Sequence, residues 1–166
     1  MIVVSDSSPL IILSKIGYFP LLRKLYPHIF ITPEVYGEVV LNGPRLPGAS
    51  EVANAEWIER RPLANTSGLL ARQASSGMGI GELSTILLAK QIGAAVVLID
   101  DLPARRMALA EGLALRGAVG ILESLFARKD LPDLREAFLK LLDANAYIDA
   151  RLLNRRLKLF GLAAIL

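Results

Sequence analysis

The segment "AAVVLIDD", residues 94–101, constrains this chain more than any other. Six apolar residues run without a break, so the strand they form has no polar face to offer to water. Such a strand belongs in the middle of a sheet with helices on both faces, which is the setting of a parallel sheet. Two carboxylates follow at once. They fall where a parallel sheet presents the carboxyl ends of its strands, the edge at which open α/β sheets bind ligands.

A second acid stands in the same relation to a second strand. The chain begins "MIVVSD", an apolar run whose residues 2–4 read as a short buried strand, and this run meets Asp6. A second apolar run, "PLIIL", follows after two serines. Ser7 and Ser8 offer an N-cap, and Pro9 suits the first turn of a helix reaching about Ile16. Gly17 closes that helix, and "PLLRKLY" suggests another. "HIFIT" reads as strand two, and Thr32-Pro33 then forms a cap and first-turn pair for a helix through "PEVYGEVVL". "WIERRPL" suits an edge strand, and "ELSTILLAKQIG" is a helix ending at Gly93. A short strand near Leu115 precedes helices at about residues 119–128, 133–143 and 149–160. Strands alternating with helices predict an α/β fold around a mostly parallel sheet. We expect one domain over residues 1–166, with about 130–166 as a C-terminal helical extension.

Composition narrows the chemistry. With 166 residues, 53% of them hydrophobic and 21% charged, the chain has the material for one core and none of the signature of disorder. There is no cysteine, which removes disulfides, thiolate catalysis and cysteine-ligated zinc, and fits a reducing, cytoplasmic setting. The single histidine, His28, reads as an ordinary, partly buried residue and rules out histidine clusters. Asp6 interrupts the first apolar run with no basic residue before it, so no secretory signal is expected. No window approaches the roughly 18 apolar residues of a membrane span. A net charge of +3 is compatible with a polyanionic partner without demanding one.

Chemistry must therefore run mainly on carboxylates, hydroxyls, lysine and arginine. Asp6, Asp100 and Asp101 end strands at one rim. Glu38, four residues beyond Glu34, and Glu82, directly after "GMGIG", lie on helices that run near it. Such a cluster without basic partners repels itself. A hard divalent cation with oxygen ligands resolves the repulsion. Each acid also has a structural reading: Asp6 as a helix cap, Glu82 as a favourable charge at a helix N-terminus, Asp100 as a cap with Asp101 in the first turn, and Glu34 or Glu38 facing solvent. "GMGIG" is no phosphate-binding loop, since no strand precedes it and no GK[ST] follows. Its glycines suit a close approach of backbone to the acids.

Taken together, residues 3–17 (Asp6-Ser7-Ser8-Pro9 with the apolar runs on either side), "ITPEVYGEVV", "GMGIGELSTILLAKQIGA" and "VVLIDDLPARRMALAEGL" resemble the PIN-domain nuclease superfamily. The nearest likeness is a subfamily of predicted nucleic-acid-binding proteins, related to VapC toxins. That subfamily carries an Asp-Ser-Ser-Pro-Leu-Ile stretch, matched here by Asp6 to Ile11, with "GxGE" and "DDxxAR" segments after it. The resemblance runs to about residue 160. It implies a PIN-like fold and a divalent-metal-dependent ribonuclease using one or two Mg²⁺ or Mn²⁺ ions. The catalytic acids would be Asp6, Glu38, Glu82 and Asp100, with Asp6, Glu82, Asp100 and Asp101 as the metal ligands. The doubled acid leaves the last position open between Asp100, the preferred match, and Asp101. Ile99 stands where VapC toxins commonly carry Thr or Ser. Ser7, Arg105 and Arg106 are candidate substrate contacts, although one arginine could instead pair with Asp101. The resemblance further implies an RNA substrate, a toxin role and an antitoxin partner, with no membrane association. The apolar surplus, including terminal "FGLAAIL", suggests a homodimer. Two alternatives remain: an inactive PIN-like module that binds nucleic acid or a partner, and a receiver-type phosphotransfer domain.

Overall fold

The computed structural model describes residues 1–66 and 68–165. Among them, five strands form one sheet: β1 (Val3–Ser5), β2 (Ile29–Ile31), β3 (Ile58–Arg60), β4 (Val96–Leu98) and β5 (Leu115–Arg116). Every pairing is parallel and the spatial order is β3-β2-β1-β4-β5. The chain builds outward from β1 to β3, then returns to the other side of β1 for β4 and β5. The order thus reverses between β1 and β4, whose register pairs Ser5 with Leu98. A receiver domain has the order 2-1-3-4-5, so the phosphotransfer reading falls on topology.

Side chains alternate across the sheet and build a core on each face. Val3, Ile29, Ile31 and Leu98 pack on one side with α1 (Ser7–Lys15), α2 (Phe19–Leu25), α3 (Pro33–Tyr36) and α4 (Ala49–Ala53). Val4, Phe30, Val97 and Ile99 pack on the other with α5 (Leu69–Ser76), α6 (Ile80–Ile92) and α7 (Leu102–Ala110). Val97, Leu98 and Ile99 are all fully buried, which is why β4 needs apolar residues on both faces. The edge strand β3 is the polar one, as "WIERRPL" suggests, and its burial falls away accordingly.

The last helices, α8 (Ala118–Ala127), α9 (Leu134–Asp143) and α10 (Ala150–Leu159), belong to the first core. Phe138, Leu141, Leu153 and Leu157 are fully buried within it. Deleting a buried leucine leaves a cavity as well as losing transfer energy, so Leu153→Ala should cost about 3 kcal/mol. Urea denaturation followed by circular dichroism checks this; a change under about 1 kcal/mol would mean that α10 is only loosely attached.

Several local expectations are revised. Asp6, not Ser7 or Ser8, takes the N-cap position of α1, yet its side chain makes no capping bond. The helix from Thr32 is capped as foreseen, Val35 N–H donating to Thr32 Oγ1 at 3.2 Å. It does not continue as α-helix: residues Gly37–Leu41 form a π-helical turn closed by Asn42 N–H to the Gly37 carbonyl at 2.9 Å. His28 is a surface residue, its ring 4.5 Å from that of Phe30. The terminal apolar segment folds back on its own chain: Phe160, Leu162 and Ile165 pack on the core and Arg135 donates to the carbonyls of Ala163 and Ala164. That segment therefore gives no support to a dimer. Among the described residues no helix is long and apolar enough to cross a membrane. Ser67, in the polar segment "ANTSG", and Leu166, the last residue of "FGLAAIL", lie outside the described residues.

Candidate active site

The acids meet at the point where the strand order reverses. Asp6 leaves β1 with its backbone N–H on the Leu98 carbonyl at 2.9 Å, the last rung between β1 and β4. Ile99 N–H bonds the Arg116 carbonyl at 3.0 Å, so the extended backbone of β4 delivers Asp100 just past the rim. In open α/β sheets this reversal at the strand C-termini opens a crevice. Glu38 enters from the π-helical turn, a local widening of the helix that re-aims side chains and often marks functional positions. Glu82 enters from the first turn of α6.

Two hydroxyls and three glycines bring these elements into reach. Thr32 and Ser84 share a buried hydrogen bond of 2.7 Å, which ties α6 to the end of β2. Ser84 and Thr85 both donate to the Gly81 carbonyl. A Cβ added at Gly81 would collide with the Glu38 carboxylate, and one at Gly79 with that of Glu82. At Gly117 it would lie 2.6 Å from Asp100 Oδ1. These glycines leave room for the carboxylates where they now lie, and none of the three has a positive φ. The spacing of "GMGIG" hinted at the first two; nothing local distinguishes Gly117, Thr32 or Ser84, whose partners are distant in sequence.

The charges of these acids act on one another. Asp6 is fully buried, and its carboxyl is pushed up to about 7 from 3.8. Burial is the main cause, opposed by the Ser7 N–H and reinforced by the charges of Glu82, Glu38 and Asp100. Glu82 is raised by burial and by the charges of Glu38 and Asp101. Asp100 is also raised by burial, against the Ala118 N–H and the nearby Arg105. Repulsion thus links residues from β1, the π-helical turn, α6 and the end of β4.

Each remaining candidate has a definite place. Ser7 donates from its hydroxyl to Glu38 Oε2 at 2.9 Å and so ties the π-helical turn to α1. Asp100 Oδ1 accepts from Ala118 N–H at 2.9 Å. Asp101 is the helix cap: its Oδ2 accepts from Ala104 N–H at 3.0 Å at the start of α7. This reverses the reading in which Asp100 caps and Asp101 sits in the first turn. Arg105 donates to the Ile99 carbonyl at 2.8 Å rather than to Asp101. Arg106 is exposed on the outer side of α7. Glu34 lies in the first turn of α3 with one carboxylate oxygen buried and unpartnered.

The donor chemistry, though not the arrangement of the side chains as they stand, suits a hard divalent cation. Asp6 Oδ2 and Asp100 Oδ2 are both buried without a hydrogen-bond partner, which is costly unless something else satisfies them. The neighbouring acids offer oxygen atoms, the chemistry preferred by Mg²⁺ and Mn²⁺. Among the described residues no three acids are grouped closely enough to grip an ion as they stand. Glu38, Asp100 and Asp101 each lean instead on a donor of their own.

A family model, DUF3368, described as a PIN domain, matches residues 2–162. The chain belongs to the PIN-domain family. The match takes in β1 through α10, so the C-terminal helices lie within the family's extent. PIN domains are generally nucleases and typically depend on divalent metals, and the all-parallel sheet with its flanking helices agrees with a PIN-like fold. No curated protein matches the chain.

Proposed function

We propose that this PIN domain is a metal-dependent ribonuclease that hydrolyses RNA phosphodiesters at the rim formed by Asp6, Glu38, Glu82 and Asp100. The observation that carries this reading is the pair of buried, unpartnered carboxylate oxygens on Asp6 and Asp100 at the sheet's reversal point. When bound, one or two Mg²⁺ or Mn²⁺ ions would supply a water of lowered pKa and a Lewis acid for the phosphoryl oxygens. The chain's own part is to hold oxygen ligands in a buried, low-dielectric rim. Asp6 and Asp100 provide the inner oxygens, with Glu82 and Asp101 alongside. Glu38, partly exposed and steadied by Ser7, accepts a proton from an attacking water or orients it. Arg105, beside Asp100, offers N–H donors to a phosphate.

No histidine base is required, which suits a chain whose one histidine is on the surface beside Glu59. The resemblance to VapC toxins adds a role as a toxin held in check by an antitoxin, and assembly as a homodimer; both belong to this proposal. A second reading, an inactive module that binds nucleic acid or a partner, is favoured by the hydrogen bonds that already satisfy Glu38 and Asp101.

Labelled single-stranded RNA incubated with Mn²⁺ separates the two. The wild type should cleave it, EDTA should stop cleavage, and Asp100→Asn should slow it by about a hundredfold or more. Cleavage that survives EDTA or the substitution would overturn the metal-ribonuclease reading, whereas RNA binding without cleavage would establish the inactive module.

A further inference from the structure

Glu82 and Glu38 carry like charges, and the charge of Glu38 helps to raise the Glu82 carboxyl. Sliding α6 away from the π-helical turn would relieve that repulsion, so the two elements need a restraint. We propose that Ser84 is the positioning residue that supplies it. Its hydroxyl anchors the first turn of α6, and with it Glu82, to the segment that leads to Glu38. The consequence for metal binding rests on the ribonuclease reading; the anchoring itself does not.

Apolar packing is a poor substitute for such an anchor. Leu83, Ile86, Leu88 and Ala89 of α6 share a buried cluster with Val4, Phe30 and Val97 of the sheet. The attraction between such groups is non-directional and sets no register to a fraction of an ångström. A hydrogen bond has a defined length and angle.

Counting protons gives the bonds a direction. Thr32 and Ser84 are both fully buried, and their hydroxyl oxygens lie 2.7 Å apart. A hydroxyl has one proton to give. Ser84 gives its own to the Gly81 carbonyl at 3.0 Å, so the proton between the two hydroxyls comes from Thr32. Thr32 Oγ1 accepts in turn from Val35 N–H at 3.2 Å. The relay thus runs from the first turn of α3 through Thr32 and Ser84 to Gly81. Gly81 precedes Glu82 in the chain, and the Glu38 carboxylate fills the space that a Cβ on Gly81 would take. The relay therefore ends where the two acids meet.

Helix stability alone does not call for serine at position 84. Alanine is the better helix former, and a hydroxyl bonded back onto its own helix slightly weakens it. Thr85 provides the comparison. It is fully buried and also donates to the Gly81 carbonyl, at 2.8 Å, but that bond stays within α6.

Calorimetric titration of Mn²⁺ into the metal-free protein tests the anchor. Ser84→Ala should weaken binding about tenfold, a usual effect of losing a group that orients ligands. Thr85→Val takes a hydroxyl from the same carbonyl but leaves the tie to Thr32, and should keep the wild-type affinity. Thr32→Ser, which retains both hydroxyl and cap, should keep it too. Ser84→Cys, with a weak donor in the same place, should fall between. Equal losses for Ser84→Ala and Thr85→Val, following their thermal midpoints, would mean that both hydroxyls only stabilise the fold, and would overturn the anchor. Unchanged affinity in Ser84→Ala overturns it as well and leaves the ribonuclease reading standing. If the wild type neither binds Mn²⁺ nor cleaves RNA, the ribonuclease reading fails, and metal-free crystal structures decide the anchor. It holds if Ser84→Ala displaces the first turn of α6 from β2 by about 0.5 Å or more, and falls if the two structures superimpose there.

Discussion

Asp6→Asn should reduce RNA cleavage by about a thousandfold while leaving the fold intact. Asparagine has nearly the same shape as aspartate, so the end of β1 and the start of α1 keep their packing. What it removes is one negative charge and, on the proposed function, one strong oxygen ligand at the most buried position of the rim, where Asp6 is fully inaccessible and Oδ2 has no protein partner. Loss of a metal's Lewis-acid contribution is worth several kcal/mol, and each 1.36 kcal/mol is tenfold in rate. The α1 helix does not depend on this carboxylate for capping, so any loss of activity cannot be ascribed to a frayed helix. Single-turnover cleavage with saturating Mn²⁺ reads the effect directly. A variant retaining a tenth or more of wild-type activity would remove Asp6 from the catalytic machinery.

Stability of the metal-free protein should fall as pH rises from about 4 to 8. The sign follows from where protons bind. Below 3.8 the Asp6 carboxyl is protonated in both folded and unfolded chains and imposes no penalty. Between 3.8 and about 7 the unfolded chain ionises while the folded one still holds its proton, so rising pH favours unfolding. Above about 7 both forms are ionised and the full cost is present, about 4 kcal/mol for Asp6 alone. Glu82 and Asp100, also raised, act in the same direction. Urea melts in EDTA across this range should show the decline, and Asp6→Asn should flatten it. Adding Mn²⁺ at about a hundred times its Kd should restore about 2.7 kcal/mol at the alkaline end. A pH-independent midpoint in EDTA would mean that the acids are better solvated than their burial implies.

Both expectations concern the same tension: the fold holds together charges that do not stabilise it. Of the described carboxylates, Glu123 shows the contrasting solution. It is buried too, but Arg156 meets it with two hydrogen bonds. Asp6 has no such partner, and the nearest charges are of its own sign.

Much of this was legible in the residues alone, for a reason of range. Strand and helix positions depend on local pattern, so "AAVVLI", "HIFIT" and the Thr32 cap announce themselves within a few residues. Parallel strands must all end at one edge, so acids placed after β1 and β4 were bound to share a rim. The tertiary structure decided what depends on distant partners. Asp100 and Asp101 are equivalent on paper. One is claimed by Ala104 three residues on, and the other by Ala118 across the turn into α8. Glu38 reaches the rim through a π-helical turn that its sequence, read as ordinary helix, does not reveal. The space for these carboxylates depends on glycines that approach only after β2, α6 and α8 have packed. The sequence by itself determined which acids could meet at the edge of the sheet. Only packing decided which of their oxygens remain unpartnered there, because hydrogen-bond donors are allotted by contacts between segments that lie far apart along the chain.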